Sequence, residues 1–219
     1  MPMRWDSLFD DLESQLESEL SAEAGQMRAE EERLRLGRLS VRDRLTALAG
    51  APEGSGLGQY GTGSTSAALL RLELRSGANV VVRPRTFGKD WFAGELVTAG
   101  NRRPQCVIPL SAIASVVLDR SGVRASLVEQ STPPARLADR IGLSFVLRDL
   151  CRRRAAIELD CGLRELNGAS RVLHGTLDRV GRDHCDLALH EANEPRRESA
   201  VTAYRIVPFE QIMLLKMIE

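Results

Sequence analysis

Aromatic residues make up only 4% of the 219 residues, so any core must be assembled mainly from Leu, Val, Ile and Ala rather than from stacked rings. Lysine is scarcer still: Lys89 and Lys216 are the two lysines among 30 cations, and the remaining 28 are arginine. The four cysteines, Cys106, Cys151, Cys161 and Cys185, show no paired spacing. That excludes a Cys-x-x-Cys metal site and a disulfide framework, and it points to a reducing cytoplasm. The N-terminal segment is acidic without an apolar stretch of the secretory kind, and no run approaches 18 apolar residues, so no membrane association is expected. Charge of one sign is also missing, since 30 cations balance 30 acids. Gly88-Lys89 lacks the upstream Gly and following Ser or Thr of a P-loop, and neither Gly-x-Ser-x-Gly nor His-Glu-x-x-His occurs. The expectation is therefore a protein that is not an enzyme and has no cofactor.

What the chain does contain is the same pattern twice. Leu72-Glu73-Leu74-Arg75-Ser76-Gly77 is echoed by Ile157-Glu158-Leu159-Asp160-Cys161-Gly162, and Phe87-Gly88-Lys89-Asp90-Trp91 by Val180-Gly181-Arg182-Asp183-His184. Val107-Ile108-Pro109-Leu110 with Ile113 then matches Ile206-Val207-Pro208-Phe209 with Ile212. Three blocks in one order predict two copies of a small β-unit. The second copy holds extra residues between Gly162 and Gly181, including the turn-like Asn167-Gly168, which belong in a hairpin or loop. Alternation at Leu70, Leu72 and Leu74 predicts a half-buried strand; Val80–Val82, Cys106–Leu110, Ala112–Leu118 and Ala156–Leu159 predict others.

Trp5, Leu8, Phe9, Leu12, Leu16 and Leu20 recur at steps of three and four, which aligns them on one face of a helix of 25 residues or more. Acids occupy its other faces. Residues 1–32 hold ten acids against Arg4 and Arg28, a local balance of −8 that leaves +8 on the remaining 187 residues. Ser40-Val41-Arg42-Asp43 has capping-box form and predicts a second short helix. Six glycines then mark Gly50–Ser66 as a linker. Residues 119–131 read as a polar connection, and Thr132-Pro133-Pro134 as the start of a helix carrying Leu137, Ile141, Phe145, Val146 and Leu150 and ending at Arg152-Arg153-Arg154. The expected layout is a helical acidic arm over 1–49, a linker over 50–67, a first barrel over 68–119, a connection and helix over 120–154, and a second barrel over 155–219.

The second copy resembles the Sm or Sm-like family. Ile157–Gly162, then Gly175-Thr176-Leu177, Asp183 and Leu187-Ala188-Leu189-His190-Glu191 follow the order of that family's first motif. The resemblance implies an α+β protein: two small Sm/SH3-like β-barrels, each preceded by a helix, plus the N-terminal acidic amphipathic helix. RNA-binding members use an Asn and an Arg-Gly pair; here Asp186 stands near the first position and Arg205 lacks its Gly, so uridine-tract recognition is not implied. The opening Met3-Arg4-Trp5-Asp6-x-Leu8-Phe9-x-Asp11-Leu12-Glu13, with Val180-Gly181-x-Asp183-His184, also resembles an uncharacterised family of high-GC Gram-positive bacteria, some labelled as transcriptional regulators.

For function, the arginines carry the first reading. Arg83, Arg85, Arg102, Arg103, Arg152, Arg153, Arg154, Arg179, Arg182 and Arg205 are candidates for one basic surface that contacts RNA or DNA phosphates, with Arg148, Arg196 and Arg197 as neighbours and Trp91 as a stacking platform or a rim-packing residue. The acidic arm would modulate access to it. Trp5, Leu8, Phe9, Leu12 and Leu16 offer the second reading, a protein-interaction adaptor or dimeric scaffold without nucleic acid, with the arm binding a partner, a second copy or the chain's own barrels. Gly88-x-Asp90 and Gly181-x-Asp183 read as turns, the Gly supplying positive φ. His174, His184, Cys185 and His190, near Cys161, have no metal-ligand spacing, so no metal site is expected.

Overall fold

The computed structural model describes residues 4–50, 69–100, 103–128, 137–164, 170–192 and 196–218. Its contacts divide the chain into one unit up to Ser40 and a second from Val41 to Glu219. The first unit is a single helix, α1 (Arg4–Arg38), roughly 52 Å long at 1.5 Å per residue. The second unit begins with α2 (Val41–Gly50), directly after Ser40 as the capping pattern requires. The linker from residue 51 to 66 lies outside the described residues.

Ten strands follow: β1 (Leu70–Leu74), β2 (Asn79–Phe87), β3 (Trp91–Leu96), β4 (Gln105–Pro109), β5 (Ile113–Val117), β6 (Ala156–Arg164), β7 (Ser170–Val180), β8 (His184–Leu189), β9 (Ala203–Pro208) and β10 (Leu214–Met217). They form one antiparallel sheet in the order β5-β1-β2-β3-β4-β10-β6-β7-β8-β9. The α+β class holds, but the sheet is continuous and not closed, with β5 and β9 at its two edges.

Each half of the sheet is wound in the same way. β5-β1-β2-β3-β4 has the strand order of β10-β6-β7-β8-β9. Phe87 lies opposite Phe92 and Val180 opposite Cys185, while Trp91 faces Pro109 and His184 faces Pro208. A bulge falls between Pro84 and Thr86 in β2, and at the same place between Leu177 and Arg179 in β7. A short 3-10 turn follows β4 at Leu110–Ala112 and β9 at Phe209–Gln211. Gly77 and Gly162, matched in the sequence blocks, both take positive φ, Gly77 in the turn after β1 and Gly162 in the irregular stretch of β6 between Asp160 and Arg164.

The halves are joined by β4 pairing with β10, Val107 opposite Leu215 and Cys106 opposite Lys216. Packing across this seam interlocks two cores. Trp91 and Val107, from the first half, lie in the core formed by Leu147, Ile157, Leu159, Leu187 and Leu215. Met213 and Leu214, from the second half, lie in the core of Leu72, Phe92 and Ile108. α2 closes that first core with Leu45 and Leu48.

Between the halves the helices differ from the sequence expectation. Residues 119–131 contain α3 (Arg120–Leu127), whose N-terminus is capped by Asp119 accepting from the Gly122 amide at 2.7 Å. Asp119, Ser121 and Gly122 resemble turn chemistry, which hides a cap. The expected helix from Thr132 is a 3-10 turn at Leu137–Arg140 followed by α4 (Leu143–Arg153), with residues 132–136 outside the description. The break at Ile141-Gly142 has a cause. The Ile141 carbonyl accepts from the Lys89 amide at 2.9 Å and from the Trp91 indole Nε1 at 2.9 Å, and Gly142 is extended. Asp90 Oδ1 then accepts from the Leu143 amide at 2.8 Å, putting a carboxylate at the N-terminus of α4.

Replacing Asp90 with Ala removes this cap and is expected to lower the unfolding free energy by about 1–2 kcal/mol, with Asp90→Asn losing less. Urea denaturation followed by circular dichroism measures the difference.

Candidate interaction surfaces

The Gly-x-Asp turns are structural junctions, and glycine is needed there for a reason other than the expected one. Among the described residues only Gly77 and Gly162 are glycines with positive φ. At Gly88 a Cβ would fall 2.2 Å from the Trp91 Nε1, and at Gly181 a Cβ would fall 2.6 Å from the His184 ring. A ring lying flat over the turn excludes any side chain. The Asp90 and Asp183 carbonyls accept from the amides of Leu110 and Phe209, both at 2.8–2.9 Å, so each turn also fixes the end of the fourth strand of its half. Arg42 ties α2 into the first turn, donating through Nε to the Gly88 carbonyl at 2.7 Å and through Nη2 to Asp139 at 2.6 Å.

Trp91 is consequently 7% exposed, its indole inside the second core. It has no free face for a base, which corrects the stacking expectation.

The candidate arginines are dispersed, and several are held by carboxylates. Arg85 donates to Glu95 at 2.9 Å, Arg152 and Arg153 both bind Asp149, and Arg179 lies 3.7 Å from Asp186. The two guanidinium groups hold the Asp149 carboxyl below its ordinary value, the hydrogen bond from Arg152 contributing most. Arg83 lies on β2, half-buried, and its Nε finds no acceptor. Arg103 is exposed before β4, and Arg102 lies outside the described residues. Arg196 forms a two-pronged bond to Asp178, at 2.7 and 2.6 Å, that fastens the segment before β9 onto β7. Among the described residues, positive charge gathers at one corner. Arg148 on α4 reaches the Gly181 carbonyl at 3.3 Å, bringing it beside the turn that carries the exposed Arg182, with Arg152 one helical turn further on. Arg154 ends α4 in the left-handed region, φ 52°, and is exposed. Arg205 stands apart, on β9.

On α1, Phe9, Leu12, Leu16 and Leu20 are all more than half exposed, as are Met27 and Leu34 further along. Trp5 and Leu8 are helical, but their side chains lie outside the description. No described helix is long and apolar enough to cross a membrane.

A cavity of about 350 Å³ lies at the seam, walled by Val81, Leu96 and Thr98 on one side and by Glu158, Asp160 and Lys216 on the other. Lys216, Glu158 and Asp160 each have a partner there, while His174 Nδ1 makes no hydrogen bond. Lys216 Nζ donates to Glu158 at 3.1 Å, His174 Nδ1 lies 3.8 Å from the other Glu158 oxygen, and Asp160 accepts from the Gly162 amide at 2.8 Å and the Ser76 hydroxyl at 3.2 Å. The cavity therefore offers an apolar hollow rather than a free charge.

Cys161, Cys185 and Cys151 pack in one core, and His184 and His190 are engaged singly. His190 is buried between Thr176, at 2.9 Å, and the Glu191 carbonyl, whereas His184 faces Asp183. Among the described residues no three His, Cys, Asp or Glu side chains are grouped to hold a metal ion. Burial pushes the thiols of Cys106 and Cys185 up to about 12 and that of Cys161 to about 11, so they behave as small apolar core groups.

Sequence reasoning missed the sheet edges. On β9, Tyr204 and Ile206 are 59% and 73% exposed, and an open cavity of about 280 Å³ runs against that strand, walled in part by Leu173, Arg205, Ile206 and Gln211. The signal was present in the match of Ile206 with Val107, but only topology shows that one of the two is covered. No family model matches the chain, and no curated protein or solved structure matches it.

Two outcomes follow from the thiols. A thiol reagent should titrate half-buried Cys151 in the native chain and all four cysteines only after denaturation. Because the unfolded thiols ionise near 9.0 and the three buried ones near 11 to 12, their contribution to stability is complete below pH 9 and is lost as pH rises toward those values. The loss is about 1.4 kcal/mol per thiol per pH unit. Urea midpoints at pH 8 and pH 10 should therefore differ less for Cys185→Ala than for the wild type.

Proposed function

We propose that this protein is a non-enzymatic interaction scaffold, in which the long acidic helix engages a protein partner bearing an apolar groove rimmed with basic residues. One observation carries the reading. α1 presents Phe9, Leu12, Leu16 and Leu20 more than half exposed within a segment whose local charge is −8. An apolar stripe flanked by acids is the chemistry of an amphipathic helix read by a groove. Its cytoplasmic setting is part of the same proposal.

The body supports a duplicated small-barrel ancestry. Equal strand order, equal bulge positions and equal positive-φ glycines in the two halves favour descent from one five-stranded unit of the Sm or SH3-like kind. The likeness to the high-GC Gram-positive family belongs to this proposal too, on the residues quoted above.

Nucleic-acid binding is the second reading, favoured by the corner formed by Arg148, Arg152 and Arg182. It ranks second because Arg85, Arg152, Arg153 and Arg179 share their charge with nearby acids, which lowers the local potential that would attract phosphate. In that reading the acidic arm competes with phosphate for the basic corner.

The two readings part in a pair of measurements. Affinity capture of partner proteins with the full chain is expected to lose its specific bands when Phe9, Leu12 and Leu16 are all changed to Glu; identical capture by wild type and variant rejects the arm as the binding element. Anisotropy titrations with labelled single-stranded RNA and duplex DNA are expected to give Kd values weaker than about 0.1 mM even at low salt. A tighter Kd that falls steeply with salt, and that weakens in Arg148→Ala/Arg182→Ala, establishes the second reading instead.

A further inference from the structure

The seam inside the chain is a template for a contact the chain leaves unmade. β4 pairs with β10, and β4 has the same place in the first half as β9 has in the second, while β10 corresponds to β5. The two strands left at the sheet edges, β9 and β5, are thus the counterparts of two strands already seen to pair with each other.

Burial shows what that pairing does. Val107, on β4, is 3% exposed because β10 and the second core cover it; its counterpart Ile206 is 73% exposed. An isoleucine occupies the position on which a neighbouring sheet would sit, and the open cavity beside Arg205 and Ile206 lies along the same edge. The other edge has neither a charge nor a proline to guard it, its one irregularity being the register shift opposite Glu73 and Leu74. β5 reads Ile113-Ala114-Ser115-Val116-Val117, and β1 is its one ladder partner among the described residues. Solvent-exposed edges in proteins that remain single are usually blunted by lysine, proline or a bulge.

We propose that β9 of one molecule pairs antiparallel with β5 of a second copy, repeating the internal β4–β10 seam. The proposal concerns the sheet alone and does not depend on the arm having a protein partner. Transferring the internal register through the ladders places the pairs: Cys106 opposite Lys216 becomes Arg205 opposite Ser115, and Val107 opposite Leu215 becomes Ile206 opposite the irregular Ile113-Ala114 step. A carboxylate position stands one strand in from both seams. At the internal seam Lys216 meets Glu158 on the adjacent strand; at the new one Arg205 comes beside Ser115, whose hydroxyl already donates to Glu73 at 2.9 Å. Glu73 is the counterpart of Glu158 in the sequence blocks, so the carboxylate position that Lys216 meets from within its own half is met here by Arg205 from the second molecule. Because the two surfaces differ, the contact is head-to-tail. Each molecule keeps one free edge after pairing, so association continues to a ring or an open array rather than stopping at a dimer.

The test uses the full chain, followed by sedimentation velocity and native mass spectrometry at concentrations up to about 0.1 mM. Wild type is expected to form species larger than a dimer. Ile206→Glu and Ala114→Glu, both at exposed positions, are each expected to be monomeric alone. Mixed in equal amounts they should form a dimer and nothing larger, since one intact β9 and one intact β5 remain; this rescue also shows that both variants are folded. Leu12→Glu/Leu16→Glu should assemble as the wild type does. The proposal is overturned by a monomeric wild type, by a mixture that stays monomeric, by edge variants that assemble like the wild type, or by assembly that the arm variant abolishes.

Discussion

The second unit rests on a very short piece of strand pairing. β4 and β10 share two residue pairs in register, yet that ladder turns ten strands into one sheet and decides which side chains each core receives. Val107 and Trp91 cross it in one direction, Met213 and Leu214 in the other. A unit of about 60 residues buries little apolar surface by itself, and sharing side chains across a seam offsets that shortfall. The aromatic-poor composition makes the exchange matter more, because Leu, Ile and Val each contribute only about 1.5–3 kcal/mol on burial.

The turn at Gly88–Trp91 has a comparable place on a smaller scale. It receives Arg42 from α2, the Ile141 carbonyl from the connecting segment, the Leu143 amide from α4 and the Leu110 amide from the end of β4. Four segments distant in sequence thus meet at one turn whose glycine is required by the indole lying over it. The corresponding turn at Gly181 has the same glycine-under-ring geometry with His184, and it receives Arg148 from α4. The helix between the halves therefore touches both turns, its N-terminus on one and its side chain on the other.

Charge distribution separates the two units more sharply than fold does. The acids of residues 1–32 are concentrated on a helix with an exposed apolar stripe, whereas the surplus arginines are scattered over the body and repeatedly matched with Asp149, Asp178, Asp186 and Glu95. Exposed pairs of this kind contribute little to stability, about 0–1 kcal/mol each. Their effect is to flatten the surface potential, which leaves shape and strand edges as the body's more distinctive features.

Local chemistry made much of this legible in the sequence. Period-two and period-three-to-four patterns located β1, β4, β5, β6 and α1 from residues such as Leu70, Leu72, Leu74, Phe9 and Leu12, and the matching blocks foreshadowed the equal winding of the two halves. α3 and the break before α4 escaped, since Asp119 and Gly122 look alike in a turn and in a cap, and since the Ile141 carbonyl is drawn out of the helix by Lys89 and Trp91, some fifty residues away. The different fates of Val107 and Ile206 escaped for the same reason. A side chain's identity states what it can bury, but whether it is buried depends on which strand lies beside it. The sequence by itself determined the long helix, several of the strands and the division of charge, because these follow from neighbours in the chain; only the tertiary structure decided α3, the single open sheet, the shared cores and the two free edges, because strand partners are chosen across distances that no local pattern encodes.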